Sequence, residues 1–236
     1  MGADRAATAA ALLAAAAGRG QQALAEHEAK QVLAAYGLPV TREVLVTTRE
    51  QAAAAAAQIG YPVVLKASSP AIPHKTERGL VRLGLPDATA ALAAYDAIAA
   101  ALQGLPGGVL VQEMVPGPRE LALGLVRDPT FGPCVMFGLG GILTEALGDV
   151  TFRRAPLAPE DARDMMEDIR GRGLLQAVRG LPAADRAALA EMLVALGTLG
   201  LEQEAVQEID LNPVILAGAR PIVADALIVL GDDPGR

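Results

Sequence analysis

A short stretch of alternating acidic and apolar residues near the carboxyl end constrains the fold of this chain most strongly. The stretch 208–212 reads EIDLN, and a period of two is that of a β-strand, in which successive side chains point to opposite faces. We expect Glu208, Asp210 and Asn212 to share one face of a sheet, while the isoleucine and leucine between them fill the core. Pro213 follows, and we expect it to hold Asn212 in an extended conformation and to end the strand pairing.

These oxygen-bearing side chains have the chemistry of a magnesium site. Asp225 lies in a second apolar run, IVADALIVL, where an isolated carboxylate is costly to bury unless it is paired or bound to a metal. Mg²⁺ is commonly held by one or two carboxylates together with substrate phosphates. We therefore expect a Mg²⁺ site at the edge that carries Glu208, Asp210 and Asn212 together with Asp225, and such a site leaves room for a nucleotide. An acidic edge strand followed by a turn is the alternative that these residues leave open.

The composition limits the classes of partner. The chain has 236 residues, of which 52% are hydrophobic, and this is ample for a core. Its net charge of −7 argues against a nucleic-acid partner and against docking to an anionic membrane, because both require a basic surface. Cys134 is the only cysteine, which excludes an intrachain disulfide, and its apolar neighbours in PCVMF predict a buried, unreactive thiol. A reducing cytoplasm fits these features.

An alanine-rich run at the amino end imitates a signal peptide faintly. Residues 6–17 are apolar and follow Arg5, but the run is too short to span a bilayer. Alanine is also only weakly hydrophobic, and Asp4 lies beside the arginine. We interpret residues 1–20 as a first helix or a frayed tail.

Predicted helices and strands alternate along the chain, which is typical of an α/β (or α+β) protein. After Pro116-Gly117-Pro118, three strands in close succession predict antiparallel neighbours. A lobe boundary therefore falls near 111–117, with a smaller lobe (41–111), a larger lobe (112–236) and a nucleotide lying between them. The expected elements are a helix over 26–36, a strand over 42–48, a helix capped by Thr48 and Gln51, a strand over 61–68, a loop over 69–79, a helix from Asp87 to about 102, a strand over 108–115, and helices over 159–170 and 183–199.

Lys66 lies inside an otherwise apolar strand, VVLKA. A buried ammonium group there requires an anionic partner. With a metal site elsewhere in the chain, a nucleotide phosphate is the most economical partner. The alternative is a lysine at a strand end whose head group reaches solvent, since Ser68 and Ser69 follow directly.

His74 is one of two histidines, and it lies in the loop PAIPHKTERG between two predicted strands. An imidazole on such a loop can accept a phosphoryl group covalently and carry it to a second site, with Lys75 neutralising charge. An ordinary surface histidine is the alternative. His27 has no comparable setting between Glu26 and Glu28, and we interpret it as a surface residue.

Two glutamates flank the proposed lobe boundary. Glu113 is near the end of a strand, and the backbone from Glu113 to Val115 can hydrogen-bond an adenine edge. Glu120 begins the next strand, and its face mates Ala122 and Gly124 are small enough to leave space for a ligand. Solvation at the strand ends remains the alternative for both glutamates. The nearby FGLGG lacks the spacing of a dinucleotide fingerprint.

The order and spacing of these motifs resemble the ATP-grasp subunit of the NDP-forming acyl-CoA synthetases. The β subunits of ADP-forming acetate-CoA ligases are the nearest type, and succinyl-CoA synthetase β is more distant. The resemblance runs from Glu28 to Val229 and is carried by YPVVLKASSPAIPHKTERG, RDPTFGPCVMFGLGGILTE, DVTFR, and EIDLNP with VADA. It implies an ATP-grasp fold of two lobes with the nucleotide cleft between them. It also implies that helix 21–40 packs on the carboxyl-terminal lobe, with the smaller lobe as an insertion.

The resemblance also implies roles for individual residues. Lys66 contacts the nucleotide phosphates, the backbone of Glu113 to Val115 contacts adenine, and Glu120 lies on the ribose or phosphate side. Asn212 and Asp225 bind Mg²⁺, with Asp210 close by. His74 matches a histidine on a swinging loop (69–79) that shuttles a phosphoryl group to a CoA-binding partner subunit. In this chain Leu80 replaces one of the paired glycines that usually follow that loop.

The function implied is the nucleotide-binding, phosphoryl-transferring part of an ADP-forming acyl-CoA ligase that uses ATP or ADP and Mg²⁺. The carboxylate and CoA bind to a CoA-binding α subunit or to a fused domain. Two other functions stay open at this point. One is a regulatory nucleotide-binding module of a fused acyltransferase, and the other is a stand-alone carboxylate-amine ligase that does not need His74.

Overall fold

The computed structural model describes residues 2–72, 79–141 and 148–231, and these form two compact units. Within the described residues, no helix combines the length and the apolar character needed to cross a membrane. The larger unit comprises Met1–Leu24, Glu28–Val40 and Val115–Arg236, and the smaller unit comprises Ala25–His27 and Thr41–Met114.

The smaller unit is a four-stranded antiparallel sheet with two helices. Its elements are β1 (Glu43–Val46), α3 (Arg49–Ile59), β2 (Val63–Ser68), β3 (Val81–Leu85), α4 (Ala88–Ala101) and β4 (Gly108–Glu113). The strands lie in the order β1-β4-β2-β3 across the sheet. Thr48 and Gln51 form the expected capping box at the start of α3, and Asp87 caps α4 by accepting from the N–H of Ala90.

One face of this sheet packs against α3 and α4. Leu65 and Ala67 of β2 are fully buried in that core together with residues of both helices. Because side chains alternate along a strand, the neighbours Lys66 and Ser68 point to the other face. Leu80, where the resembling family has a glycine, is buried in the same apolar core, so its side chain stabilises the unit at the end of the loop.

The larger unit contains a six-stranded sheet. Its strands are β5 (Glu120–Asp128), β6 (Gly132–Leu139), β7 (Val150–Arg154), β8 (Val206–Ala217), β9 (Arg220–Val223) and β10 (Leu227–Leu230). Five of them lie in the order β10-β8-β5-β6-β7, and β9 pairs with β8. All the pairings between these strands are antiparallel, as expected for the strands after residue 118.

Helices contribute to the core on one face of the larger sheet. Leu123, Phe137 and Leu211 are fully buried there among helical side chains. The amino-terminal alanine-rich segment is helical and takes part in this core. The helices are α1 (Gly2–Gly18), α2 (Glu26–Ala35, whose first two residues belong to the smaller unit), α5 (Pro159–Asp168), a 3₁₀ helix (Arg170–Leu175) and α6 (Arg186–Glu202).

The opposite face of the larger sheet is only partly covered, and it corrects one expectation. Cys134 is half-exposed, so the prediction of a buried thiol was wrong. The apolar run PCVMF belongs to a strand with two different faces: Val135 and Phe137 are buried in the core, while Cys134 and Met136 lie on the other side.

A buried arginine holds the connections of the larger unit together. Arg119 is only 6% exposed, and its guanidinium donates to four backbone carbonyl oxygens at 2.8–3.3 Å. A planar guanidinium with five N–H donors suits such a cage. The four acceptors belong to Leu174, Gln176, Pro182 and Gly218.

Candidate functional site

The acidic stretch lies on β8 with the alternation that the sequence predicts. Ile209 and Leu211 are buried in the core, Glu208 is exposed, and Asp210 and Asn212 are half-buried on the other face. The prediction that Pro213 ends the pairing was wrong, because β8 continues to Ala217. The register with β5 shifts by one residue around this proline, with Val214 opposite Leu121 and Leu211 opposite Leu123. The peptide bond between Asn212 and Pro213 is cis.

Negative charge is concentrated around Asp210. Partial burial, followed by the charges of Glu208 and Asp225, raises the pKa of its carboxyl group from 3.8 to about 6. The carboxylates of Asp210 and Asp225, predicted from separate parts of the sequence, are therefore close enough to repel each other. A bound cation would relieve this repulsion.

The segment that carries Asp225 is held from two sides. The N–H of Ala224 donates to the carbonyl of Pro213 at 3.0 Å, which ties this segment to β8. The carbonyl of Ala224 accepts from Nζ of Lys30, also at 3.0 Å, and this lysine is almost fully buried. Lys30 was not among the predicted site residues, because the helical pattern of EAKQVL does not show which distant residue a side chain contacts.

Asn212 and Glu120 meet at Gly141. The backbone N–H of Gly141 donates to Oδ1 of Asn212 at 3.0 Å. Gly141 has a φ of +60°, and a Cβ atom at this position would lie 2.0 Å from Oε2 of Glu120. Glycine is favoured here, because a side chain would have to displace the carboxylate of Glu120 and adopt a left-handed backbone conformation. The Gly-rich turn thus brings two of the predicted site residues to one place.

Small residues line the same face of the sheet beside the acidic positions. Gly124 of β5 pairs directly with Asp210, and a Cβ atom on it would lie 2.7 Å from the carbonyl oxygen of Ile209. Ala122 pairs with Gly138 on the next strand. The predicted small residues therefore accompany Glu120 and Asp210 on the larger sheet.

The donor set fits a magnesium ion that takes part of its coordination from a ligand. Among the described residues, no group of three or more histidine, cysteine, aspartate or glutamate side chains could hold a metal ion. Within the part of the chain that the structure describes, the donors we consider on this face are the carboxylates of Asp210 and Asp225 and the amide of Asn212, while Glu208 lies exposed two positions before Asp210 on β8. Mg²⁺ accepts such a sparse protein set because it keeps waters or phosphate oxygens as its other ligands.

Asp149 organises the backbone next to β7. Its two carboxylate oxygens accept from the N–H groups of Arg170 and Gly171 at 2.9 and 2.7 Å. Burial alone would raise the pKa of Asp149, but these two backbone hydrogen bonds, together with the charge of Arg170, lower it below 3.8. The carboxylate is therefore a cap for the 3₁₀ helix.

Lys66 of the smaller unit is buried and paired. It is 5% exposed, which excludes the alternative of a head group that reaches solvent. Its Nζ donates to Oε1 of Glu26 at 2.9 Å, and the glutamate side chain is 1% exposed. An anionic partner was predicted for Lys66, with a nucleotide phosphate as the most economical one. The partner in the structure is the carboxylate of Glu26, which was not predicted.

The neighbouring histidine also differs from expectation. His27 is half-buried, not a plain surface residue, and its Nδ1 lies 3.2 Å from Oγ of Ser68. Ser68 and Ser69 are both buried. His74, the predicted phosphoryl acceptor, lies outside the described residues, as does Lys75.

Glu113 is fixed by Arg42. Its carboxylate accepts from the backbone N–H of Arg42 at 2.9 Å and from Nε of the same residue at 2.7 Å. The backbone N–H of Glu113 donates to the carbonyl of Arg42. Both the carboxylate and the backbone N–H of Glu113 are thus engaged within the smaller unit.

Comparison with known proteins places these residues in a family. A model described as an ATP-grasp domain matches residues 15–230. The chain belongs to the ATP-grasp family. This confirms the fold class predicted from the sequence.

The relatives of this ATP-grasp chain include acyl-CoA ligases. It is 39% identical over 212 residues to the acetate–CoA ligase [ADP-forming] I subunit beta of Pyrococcus furiosus, covering 88% of this chain and 91% of that subunit. It is also 39% identical over 198 residues to the 4-hydroxybutyrate–CoA ligase [ADP-forming] of Nitrosopumilus maritimus. That match covers 82% of this chain but 28% of the longer relative.

One solved structure is similar to this chain over nearly its whole length. It is acetyl-coenzyme A synthetase 1 of Ca. Korarchaeum cryptofilum in complex with coenzyme A and Mg-AMPPCP, with the phosphohistidine segment pointing towards the nucleotide binding site. The TM-score is 0.84 at 41% identity, and the match covers 94% of this ATP-grasp chain and all of that one.

Proposed function

We propose that this chain is the nucleotide-binding, phosphoryl-transferring subunit of an ADP-forming acyl-CoA ligase. The observation that carries the proposal is the match to a β subunit of such a ligase over 91% of that subunit's length. The overall reaction converts acyl-CoA, ADP and phosphate to carboxylate, CoA and ATP, and the reverse. We place it in the cytoplasm, where ATP and CoA are available.

The charged residues of each unit have distinct tasks in this proposal. Lys66 of the smaller unit neutralises nucleotide phosphates, and the backbone from Glu113 to Val115 hydrogen-bonds the adenine edge. Glu120 of the larger unit contacts the ribose or phosphate side. Phosphoryl transfer depends mainly on positioning and on neutralising charge, and side chains that are already held in place do both without reorganising.

Asp210, Asn212 and Asp225 would hold the magnesium ion. When bound, it supplies charge neutralisation to the phosphoryl oxygens. The repulsion that Glu208 and Asp225 exert on Asp210 supports this assignment, because a bound cation would stabilise the neighbouring carboxylates. The hydrogen bond from Gly141 to Asn212 orients the amide so that its carbonyl oxygen is fixed by the backbone.

His74 is proposed as the acceptor that carries the phosphoryl group. Its ring nitrogen attacks the terminal phosphorus of ATP, the bond to the bridging oxygen breaks, and ADP leaves with that oxygen. The phosphohistidine then passes the group to a CoA-binding partner subunit, or to a fused domain, where a small carboxylate such as acetate is activated. The energetic phosphoryl group thereby reaches a distant acyl site.

The test uses the small number of histidines in the chain. There are two, His74 and His27, so each can be replaced in turn. The chain, alone and with its partner subunit, is incubated with Mg²⁺ and ATP labelled at the γ-phosphate. We expect an acid-labile, base-stable label that is lost in His74→Gln and retained in His27→Gln.

Three other results would contradict the proposal. A label that survives in His74→Gln would remove the phosphohistidine relay while leaving the fold intact. Nucleotide binding without any label, and without CoA-dependent phosphorylation of ADP in any partner combination, would favour the regulatory module. Amide formation by the isolated chain would favour the carboxylate-amine ligase.

A further inference from the structure

We propose that Glu26 is a positioning residue for phosphoryl transfer and acts through Lys66. This inference rests on the proposed function, in which the lysine neutralises nucleotide phosphates. Nζ of Lys66 donates to Oε1 of Glu26 at 2.9 Å. Both residues belong to the smaller unit, although 40 positions separate them in the sequence.

The burial of this pair distinguishes it from the other ion pairs described in the smaller unit. The side chains of Lys66 and Glu26 are 6% and 1% exposed, whereas those of Arg49 and Asp96 are 53% and 54% exposed. An exposed pair contributes little, because solvent screens it and both side chains remain mobile. A buried pair holds its partners in one arrangement, and the loss of either partner leaves an uncompensated charge in a poorly hydrated place.

The segment Ala25–His27 contacts β2 at two alternate positions. Glu26 binds Lys66, and the next residue, His27, binds Ser68 through Nδ1 and Oγ, 3.2 Å apart. Lys66 and Ser68 are two positions apart on one strand and therefore point to the same face. The opposite face carries the apolar core with α3 and α4. Two adjacent residues thus fix two neighbouring polar side chains of β2.

An ammonium group can bind Glu26 and a phosphate together. It carries three N–H donors and has no acceptor, so the bond to Glu26 does not exhaust it. The lysine stem is a flexible chain of four carbons, and without a partner its head group would sample many positions. Glu26 restricts that freedom before the nucleotide arrives. Catalysis by positioning is sensitive to such restriction, because a misplacement of 1 Å costs roughly a hundredfold in rate.

This role predicts a particular division between rate and binding. Glu26→Gln keeps the size of the side chain but removes its charge. Loss of a negative charge close to the phosphates should leave nucleotide binding unchanged or slightly tighter. Loss of the restraint on Lys66 should lower the rate of phosphoryl transfer, by roughly tenfold or more. If Glu26 had only a structural role, its replacement would lower the unfolding temperature but would not reduce the rate of phosphoryl transfer while leaving nucleotide binding intact.

The experiment measures single-turnover labelling of the chain by γ-labelled Mg-ATP over a range of ATP concentrations. The variants are Glu26→Gln, Lys66→Met, the double variant and Glu26→Asp. We expect Glu26→Gln to lower the maximal rate and not to raise the concentration for half-saturation. We expect the double variant to match Lys66→Met, because residues that act through each other are not additive. Glu26→Asp keeps the charge and should recover part of the rate.

Controls separate folding and the proposed function from this inference. Circular dichroism and unfolding temperature are recorded for every variant, and Asp96→Asn serves as the exposed-pair control in the same unit. If Glu26→Gln does not fold, Glu26→Asp in the native and Lys66→Met backgrounds gives the same comparison.

Three results would overturn the proposal: an unchanged rate in Glu26→Gln, a faster rate with tighter binding, or a further loss of rate when Glu26→Gln is added to Lys66→Met. If the rate is unchanged in Glu26→Gln but reduced in Lys66→Met, the role of Glu26 is refuted and the proposed function still stands. A native chain that takes no label, either alone or with its partner subunit, refutes the proposed function and this inference with it.

Discussion

Gly141 donates its backbone N–H to Oδ1 of Asn212 at 3.0 Å, while its Cα faces the carboxylate of Glu120 so closely that a Cβ atom would lie 2.0 Å from Oε2. One glycine therefore positions two side chains that the sequence analysis assigned to different tasks, one to the metal and one to the nucleotide. The acidic face of β8 and the first residue of β5 depend on the same turn.

Replacing this glycine should impair the site more than it impairs the fold. Gly141→Ala should push Glu120 aside and lower the rate of labelling by Mg-ATP by roughly tenfold or more, since small displacements of positioned groups are costly. Gly132→Ala is the matched control, because its φ of +75° gives the same backbone strain and nothing lies within 4 Å of its Cβ position. Equal losses of activity in the two variants would show that strain, not the collision, is responsible.

The raised pKa of Asp210 predicts a stability effect with a definite sign. Between pH 3.8 and about 6 the folded chain binds more protons at this group than the unfolded chain does, so the free energy of unfolding falls as pH rises. The penalty is absent below pH 3.8 and complete above pH 6. Allowing for solvent screening of a half-buried group, it is about 1–2 kcal/mol.

Asp210→Asn should therefore stabilise the metal-free chain at pH 8. We expect a rise of a few degrees in unfolding temperature in the presence of a chelator, shrinking towards zero near pH 3.5. Thermal unfolding followed by circular dichroism measures it, and Asp164→Asn, on the exposed side of α5, is the control. A destabilised variant at pH 8 would contradict the proposed crowding of carboxylates.

Asp149 should show the opposite dependence on pH. Its pKa is lowered, with burial opposing the shift and the N–H groups of Arg170 and Gly171 causing it. Its contribution is therefore fully present above pH 3.8 and is lost as pH falls through the lowered pKa. Asp149→Asn should destabilise the chain by about 1–2 kcal/mol at neutral pH, because an amide offers one acceptor where two N–H groups need partners. The difference in unfolding temperature should narrow in acid, and a constant difference would be inconsistent with this role.

Arg119 should be among the most sensitive residues for stability. Arg119→Met leaves four backbone carbonyl oxygens without their donor, and we expect a loss of about 2–4 kcal/mol in the free energy of unfolding. Arg163, whose side chain is 55% exposed and pairs with Glu160 one turn away, gives the matched control Arg163→Met. Denaturant unfolding of both variants measures the contrast; similar losses would mean that the carbonyl cage is unimportant.

Local patterns in the sequence predicted local structure well. The alternation around Asp210 and the capping box of Thr48 and Gln51 were predicted because each depends on residues a few positions apart. The register shift at Pro213 was missed, because a proline that stops a regular ladder can also be accommodated within a bulge. That accommodation depends on the neighbouring strand, which periodicity does not describe.

Contacts between residues that are far apart in the sequence could not be predicted from local patterns. A buried lysine at position 66 was expected to have an anionic partner, but the sequence offers many carboxylates and does not rank them. Glu26 was treated as the flank of a surface histidine, because helix periodicity says nothing about what a helix start contacts. Similarly, an arginine such as Arg119 is usually exposed, and nothing local predicts that four carbonyl oxygens converge on it.

The bonds between Arg42 and Glu113 have a consequence for how this architecture can be rearranged. Because β1 and β4 are paired with Glu43 opposite Gln112, the polypeptide enters the stretch Thr41–Met114 and leaves it at adjacent points. A host for this stretch needs a loop to which the two chain ends can be joined and also the residues Glu26 and His27, because these contact Lys66 and Ser68 of the stretch. The stretch could be exchanged for a counterpart from a relative with a different nucleotide preference, joined at just two peptide bonds.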